Sequence, residues 1–161
     1  MDVKKLYDDY EAYIIEMRRW FHRHPELSLK EQNTSRKIQE ELRGMGIPFE
    51  VLAPNCGVAA TIKGGKEGKT IALRADIDAL PVKEETGLEF ASENEGAMHA
   101  CGHDAHIAMM LGAAKVLNEV KEELAGTVIC VFQVAEETGF GYKEVLDYFD
   151  SIGGVDSVIG L

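Results

Sequence analysis

Thr127-Val128-Ile129-Cys130-Val131-Phe132-Gln133-Val134 is almost wholly apolar and rich in β-branched residues. A strand with one wet face would alternate apolar and polar residues, whereas a continuous apolar run marks a strand buried on both faces, in the middle of a sheet covered by helices. Before this run, Ile107, Met110, Leu111, Ala114, Leu117 and Val120 recur at helical spacing, and Gly126 closes that segment. After it come a short helical stretch around Tyr142–Phe149 and a last apolar strand, Ser157–Leu161. Further upstream, Val58–Ile62 and Thr70–Ala75 read as two strands joined by the flexible turn Gly64-Gly65-Lys66-Glu67-Gly68. Leu6, Tyr10, Tyr13, Ile14, Met17 and Phe21 line one face of an opening helix that should stop near His24, because Pro25 disfavours helical geometry in the residue before it. Ser28-Leu29-Lys30-Glu31 has the form of a capping box for a second helix with Ile38, Leu42 and Met45 on its core face, ended by Gly44 and Gly46. Val82–Met98 is acidic and irregular and reads as loop. This order predicts a layered α/β/α domain around a central, largely parallel mixed sheet.

The chain has 161 residues, of which 45% are hydrophobic and 28% charged, so a single folded domain is expected rather than a disordered chain. Its 28 acidic against 17 basic residues give a net charge of -11, which repels a phosphate backbone and excludes nucleic acid as a partner. No run of like charge is long enough for an interaction tail, so the acidity reads as a solvated surface. Neither a signal-peptide apolar region nor a membrane-length apolar stretch occurs, and a cytoplasmic protein is expected. Cys56, Cys101 and Cys130 are odd in number and unrelated in spacing, which argues against a disulfide framework. Cys56, in a turn, and Cys130, in the central strand, read as structural.

Chemistry concentrates in three places. His99-Ala100-Cys101-Gly102-His103-Asp104-Ala105-His106 packs a thiol, three imidazoles and a carboxylate into eight residues. A lone cysteine or histidine is usually a buried or satisfied side chain, but the cluster reads as a metal loop. Its thiolate and imidazole donors suit zinc or another late first-row ion better than magnesium or calcium. A helix beginning just after Gly102 would favour the thiolate of Cys101. His106, one turn after His103, either chelates or orients a ligand. Second, Glu136-Glu137 follows the buried strand at its carboxyl edge, where open α/β sheets place their sites. One of the pair can ligate metal while the other takes a proton from water. Third, Asp76-Ile77-Asp78 ends another apolar strand, with both carboxylates on one face by the two-residue period. A turn-forming aspartate before Pro81 explains either residue alone equally well.

These clusters, in this order, resemble the metal-dependent amidohydrolase family of aminoacylases, hippurate hydrolases, auxin-conjugate hydrolases and N-acetyldiaminopimelate deacetylases. Arg18–Ser28 is similar to that family's opening helix and turn, Arg74–Pro81 to its aspartate strand, Met98–His106 to its metal loop and Phe132–Glu137 to its paired-glutamate motif. Gly153–Leu161 is similar to the segment leading to the next ligand. The resemblance implies a zinc-exopeptidase-like catalytic domain that hydrolyses the amide of N-acyl amino acids or similar small conjugates. It implies Cys101, His103 and Glu137 as ligands of one or two divalent ions, zinc foremost, with manganese, cobalt or nickel as alternatives. It implies Glu136 as general acid/base, and Asp76 or Asp78 as the residue that orients a ligand or supports the base.

Two departures stand out. Val134 replaces the family's usual proline, which should restore a donor to the strand ladder. The family's next histidine ligand follows the Gly-Leu that here is Gly160-Leu161, so residues 1–161 correspond to the N-terminal part of the catalytic domain. The dimerisation domain and the C-terminal half of the catalytic domain are absent, and the full-length parent is expected to be a homo-oligomer. The rival readings are an inactive metal-binding fragment or interaction module and, more remotely, a thiol-redox protein built on Cys101.

Overall fold

The apolar run Thr127–Val134 forms the middle of a five-stranded sheet. The computed structural model of the chain describes residues 3–160. Along it run α1 (Val3–Arg23), α2 (Gln32–Gly44), β1 (Phe49–Leu52), β2 (Gly57–Lys63), β3 (Lys66–Asp76), α3 (His103–Glu119), β4 (Ala125–Gln133), α4 (Tyr142–Ser151) and β5 (Ser157–Gly160). A 3-10 turn, Lys121–Glu123, links α3 to β4. The strand order is β1-β2-β4-β3-β5. β4 pairs antiparallel with β2 and parallel with β3; β1 joins β2 antiparallel and β5 joins β3 parallel. The mixed sheet therefore has as many antiparallel as parallel pairings, where mostly parallel ones were expected.

Successive residues of β4 feed opposite cores. Cys130 and Phe132 pack with Ile38, Leu42, Phe21, Ile107 and Leu111 from α1, α2 and α3. Ile129 and Val131 pack with Val145, Tyr148 and Phe149 of α4. Burying one such side chain contributes roughly 1.5–3 kcal/mol, so the continuous apolar run is what a strand covered by helices on both faces requires. Among the described residues, no helix is long and apolar enough to cross a membrane.

Several elements differ from the sequence expectation. β1 was not foreseen, since Phe49–Leu52 is short and its side chains are mostly not buried. β3 begins at Lys66, so Gly64-Gly65 alone link it to β2, and β4 separates the two strands in the sheet. β4 ends at Gln133, which leaves Val134 outside the ladder. β5 is exposed throughout, and Leu161 lies outside the described residues. The capping box does not form. α2 starts at Gln32 without a side-chain cap from Glu31, and its first amides go to Glu26 instead, Asn33 N and Thr34 N donating to the two carboxylate oxygens at 3.2 and 2.7 Å. Ser28 and Glu31 point elsewhere, toward the ends of β3 and β4.

The sheet register sets up the site. Asp76 of β3 lies beside Gln133 of β4, and because these strands are parallel their exits emerge at one edge of the sheet. α3 packs on β3 and starts at that edge, with Gly102 as its N-terminal flank at φ 94°, a backbone angle that glycine adopts without steric cost.

Candidate metal centre

His103, the first residue of α3, is the hub. Its Nδ1 lies 2.9 Å from the backbone carbonyl oxygen of Asp78, and an N–H donated there fixes the tautomer and leaves Nε2 as a lone pair. Facing that nitrogen are Asp76 Oδ1 at 3.5 Å, Glu137 Oε1 at 3.8 Å and Glu136 Oε2 at 3.9 Å. Desolvation alone would lower the imidazole pKa. The hydrogen bond to Asp78 and the charge of Asp76 outweigh it, and the His103 pKa is raised.

The aspartates hold opposite sides of this ring. Asp78 is fully buried, and its Oδ2 accepts the Ser28 hydroxyl at 2.7 Å and the Glu137 amide at 3.0 Å. Burial would raise its pKa, but the hydrogen bonds from His103, Ser28 and the Glu137 amide lower it. Asp76 Oδ1 meets His106 Nδ1 at 2.6 Å, and its Oδ2 accepts from Arg74 Nη1 at 2.7 Å. His106 stacks against His103 with ring centroids 5.4 Å apart. Both oxygens of Asp76 are thus engaged by cationic or N–H partners, which favours support of neighbouring groups over direct ligation.

The two glutamates reach the hub through an unusual turn. Ala135 has φ 53°, uncommon outside glycine, so the chain leaves β4 sharply and Glu136 and Glu137 both face His103. Their exposures differ. Glu136 is 39% exposed, as a group meeting substrate would be, while Glu137 is 18% exposed and its Oε1 is buried without a hydrogen-bond partner among the described residues.

The donor set fits a cation. Cys101, His103 and Glu137 each offer one atom, all within 4.8 Å of one another. A zinc tetrahedron with bonds of about 2.0–2.3 Å spaces its corners by roughly 3.3–3.8 Å, so little movement is needed. An imidazole lone pair turned toward a buried carboxylate oxygen without a hydrogen-bond partner is relieved either by a proton on Nε2 or by a cation held between them. Asp76, His103 and His106 form a second close set. The expectation of a ready thiolate at Cys101 is corrected: desolvation, then the charge of Glu137 and a hydrogen bond to it, then the charges of Glu136 and Asp76, raise its pKa.

Some residues around this centre were not singled out beforehand. His22 Nδ1 lies 2.8 Å from Asp104 Oδ2 and its Nε2 lies 3.1 Å from Glu84 Oε1, tying α1 and the 82–98 loop to the first turn of α3. Glu31 is fully buried and its Oε1 accepts the Ala135 amide at 2.8 Å. The local signal existed, since Ser28 and Glu31 are three residues apart, but that spacing also describes a helix cap.

The model of peptidase family M20/M25/M40 matches residues 72–161, more than half of the chain. The chain belongs to that family. Among relatives of this M20/M25/M40 chain, the thermostable carboxypeptidase 1 of Saccharolobus solfataricus is 47% identical over 99% of it and 42% of the relative. The N-acetyl-L-cysteine deacetylase of Bacillus subtilis is 48% identical over 94% of the chain and 36% of the relative. A solved structure, the Bacillus subtilis YXEP protein, described as a dinuclear metal-binding peptidase of the M20 family, superposes with a TM-score of 0.90. It is 45% identical, over 95% of this chain and 43% of that one. The chain thus spans about two fifths of the length of the curated relatives it matches.

Proposed function

We propose that these residues form part of the active site of a metal-dependent amidohydrolase acting on N-acyl amino acids and similar small conjugates. The observation that carries this reading is the lone pair of His103 Nε2 turned toward the carboxylates of Glu136 and Glu137, with Cys101 in reach of the same point. The acylated amino acid handled by a deacetylase and the C-terminal residue released by a carboxypeptidase share one chemistry, an amide whose leaving amine carries an α-carboxylate. The names of the two relatives therefore support one substrate class.

In this reading Cys101, His103 and Glu137 hold a divalent ion, zinc first and manganese, cobalt or nickel as alternatives, which when bound polarises the acyl carbonyl and lowers the pKa of water. Asp78 keeps His103 in the ligating tautomer through its carbonyl and anchors the Glu137 backbone through its carboxylate. Asp76 braces His106 beside the hub. Glu136, the more exposed glutamate, takes a proton from water as the water oxygen attacks the acyl carbon. It then gives that proton to the amine nitrogen as the C–N bond breaks, leaving a carboxylic acid and a free amine. A positioned general base contributes about 10²–10⁴-fold.

A structural zinc site wants four protein ligands and a catalytic one three plus water. With the chain spanning about two fifths of its relatives, we propose that it is the N-terminal part of a catalytic domain completed by residues outside it. The test compares Glu136→Gln and Glu137→Gln on N-acetyl and N-benzoyl amino acids with added zinc or manganese, in the 161-residue chain and in any longer reading frame that encloses it. Glu136→Gln should abolish turnover and keep the metal, whereas Glu137→Gln should lose metal first. An inactive binding module predicts no turnover in any form.

A further inference from the structure

In a regular strand, successive side chains point to opposite faces. Glu136 and Glu137 are consecutive, yet both come within 4 Å of the same nitrogen of His103. The left-handed conformation of Ala135, directly before them, is what turns the pair to one side. A residue with a Cβ does not rest there unless its surroundings hold it.

One hold comes from inside the turn, where Phe140 N donates to the Ala135 carbonyl oxygen at 3.2 Å and Gly139 N to the Glu136 carbonyl oxygen at 2.9 Å. The other comes from far along the chain. Glu31, just before α2 and fully buried, accepts the Ala135 amide on Oε1 at 2.8 Å. A carboxyl group with no solvent exposure is rare, and this one neither caps α2 nor has a cationic partner among the hydrogen bonds described. Ser28, in the same short segment, donates to the Asp78 oxygen that also receives the Glu137 amide. The segment Ser28–Glu31 therefore touches both strand exits that carry the site.

We propose that Glu31 is a positioning residue: its carboxyl holds Ala135 in the left-handed conformation and so sets the directions of Glu136 and Glu137 relative to His103. The proposal rests on the roles given to those glutamates above. Burial raises the Glu31 pKa, and an amide of the same length keeps an oxygen acceptor facing the Ala135 amide.

The experiment compares wild type, Glu31→Gln, Glu31→Met and the double variant Glu31→Met/Ala135→Gly for Co²⁺ affinity, for kcat and KM on N-acetyl amino acids, and for thermal midpoint. Glu31→Gln keeps the acceptor and should stay within about threefold of wild type. Glu31→Met removes the acceptor at similar length, and Co²⁺ affinity and kcat should each fall about 10–100-fold, the usual cost of removing a group that orients a ligand, with KM little changed. Glycine adopts the left-handed angle without help, so Ala135→Gly should recover Co²⁺ affinity in the Glu31→Met background. If Glu31→Met lowers only the thermal midpoint, leaving affinity and kcat intact in the folded protein, the proposal is overturned. Should Glu31→Met fail to fold, the double variant decides: recovered affinity supports the proposal and none overturns it. If neither the 161-residue chain nor a longer reading frame enclosing it hydrolyses any N-acyl amino acid, the functional reading falls, while the Co²⁺ affinities still decide the role of Glu31.

Discussion

Lowering the pH of chelator-treated protein from about 7.5 to about 4.5 should cost it stability through a single imidazole, that of His99. The side chain is 4% exposed, and neither ring nitrogen has a hydrogen-bond partner among the described residues. Burial is the main cause of a pKa of about 4 against an ordinary value of 6.5, with the charge of Asp104 working the other way. The folded pKa lies below the unfolded one, so between pH 6.5 and about 4 the unfolded chain binds the extra proton and stability falls as the pH falls. At about 1.4 kcal/mol per pH unit the full effect is about 3 kcal/mol, and by pH ~4.5 about 2.5 kcal/mol should already be lost. Urea unfolding of wild type and His99→Leu across this range is the assay, read as the difference between the two curves. His103, whose raised pKa adds stability that is complete below pH ~6.5 and fades as the pH rises, is present in both proteins and largely cancels. Parallel curves for the two proteins would refute the claim that His99 is buried uncharged.

Three further outcomes follow from packing. A Cβ on Gly141 would lie 1.7 Å from the Val134 carbonyl oxygen, so Gly141→Ala should lower stability by roughly 2–4 kcal/mol in chemical denaturation, and an unchanged midpoint would contradict the close approach of α4 to the end of β4. Phe132→Ala empties the centre of the larger core and should cost about 3–5 kcal/mol by the same measurement; a loss below about 1 kcal/mol would place Phe132 elsewhere. Glu26→Ala removes the carboxylate that takes the first amides of α2, and should cost about 1–2 kcal/mol and speed hydrogen exchange in that turn, while Ser28→Ala should leave exchange there unchanged.

The central strand, the long helix after the metal loop and the glycine stop of α2 were legible because their signals are local: apolar continuity, helical spacing, and a residue free to turn. β1 was not, since four residues with mostly unburied side chains carry no such pattern. The convergence of Cys101, His103, Glu136 and Glu137 on one site was implied by the family resemblance, whereas residue types and strand ends alone gave separate candidates. The reason for it, the parallel pairing of β3 with β4, is a matter of topology that no short window contains. The Ser28–Glu31 segment misled because its local signal was a cap, while its actual partners, Asp78 and Ala135, lie 50 and 104 residues away. Tertiary contacts overrode local propensity where the side chains are buried.

Cys101, His103 and Glu137 should share one ion. Co²⁺ titration followed by visible and near-ultraviolet absorption tests this directly. Wild type and Glu136→Gln should both show a thiolate-to-cobalt charge-transfer band that Cys101→Ser abolishes, with His103→Ala and Glu137→Gln binding Co²⁺ at least about tenfold more weakly. A cobalt complex without thiolate character, or one indifferent to all three substitutions, would contradict it.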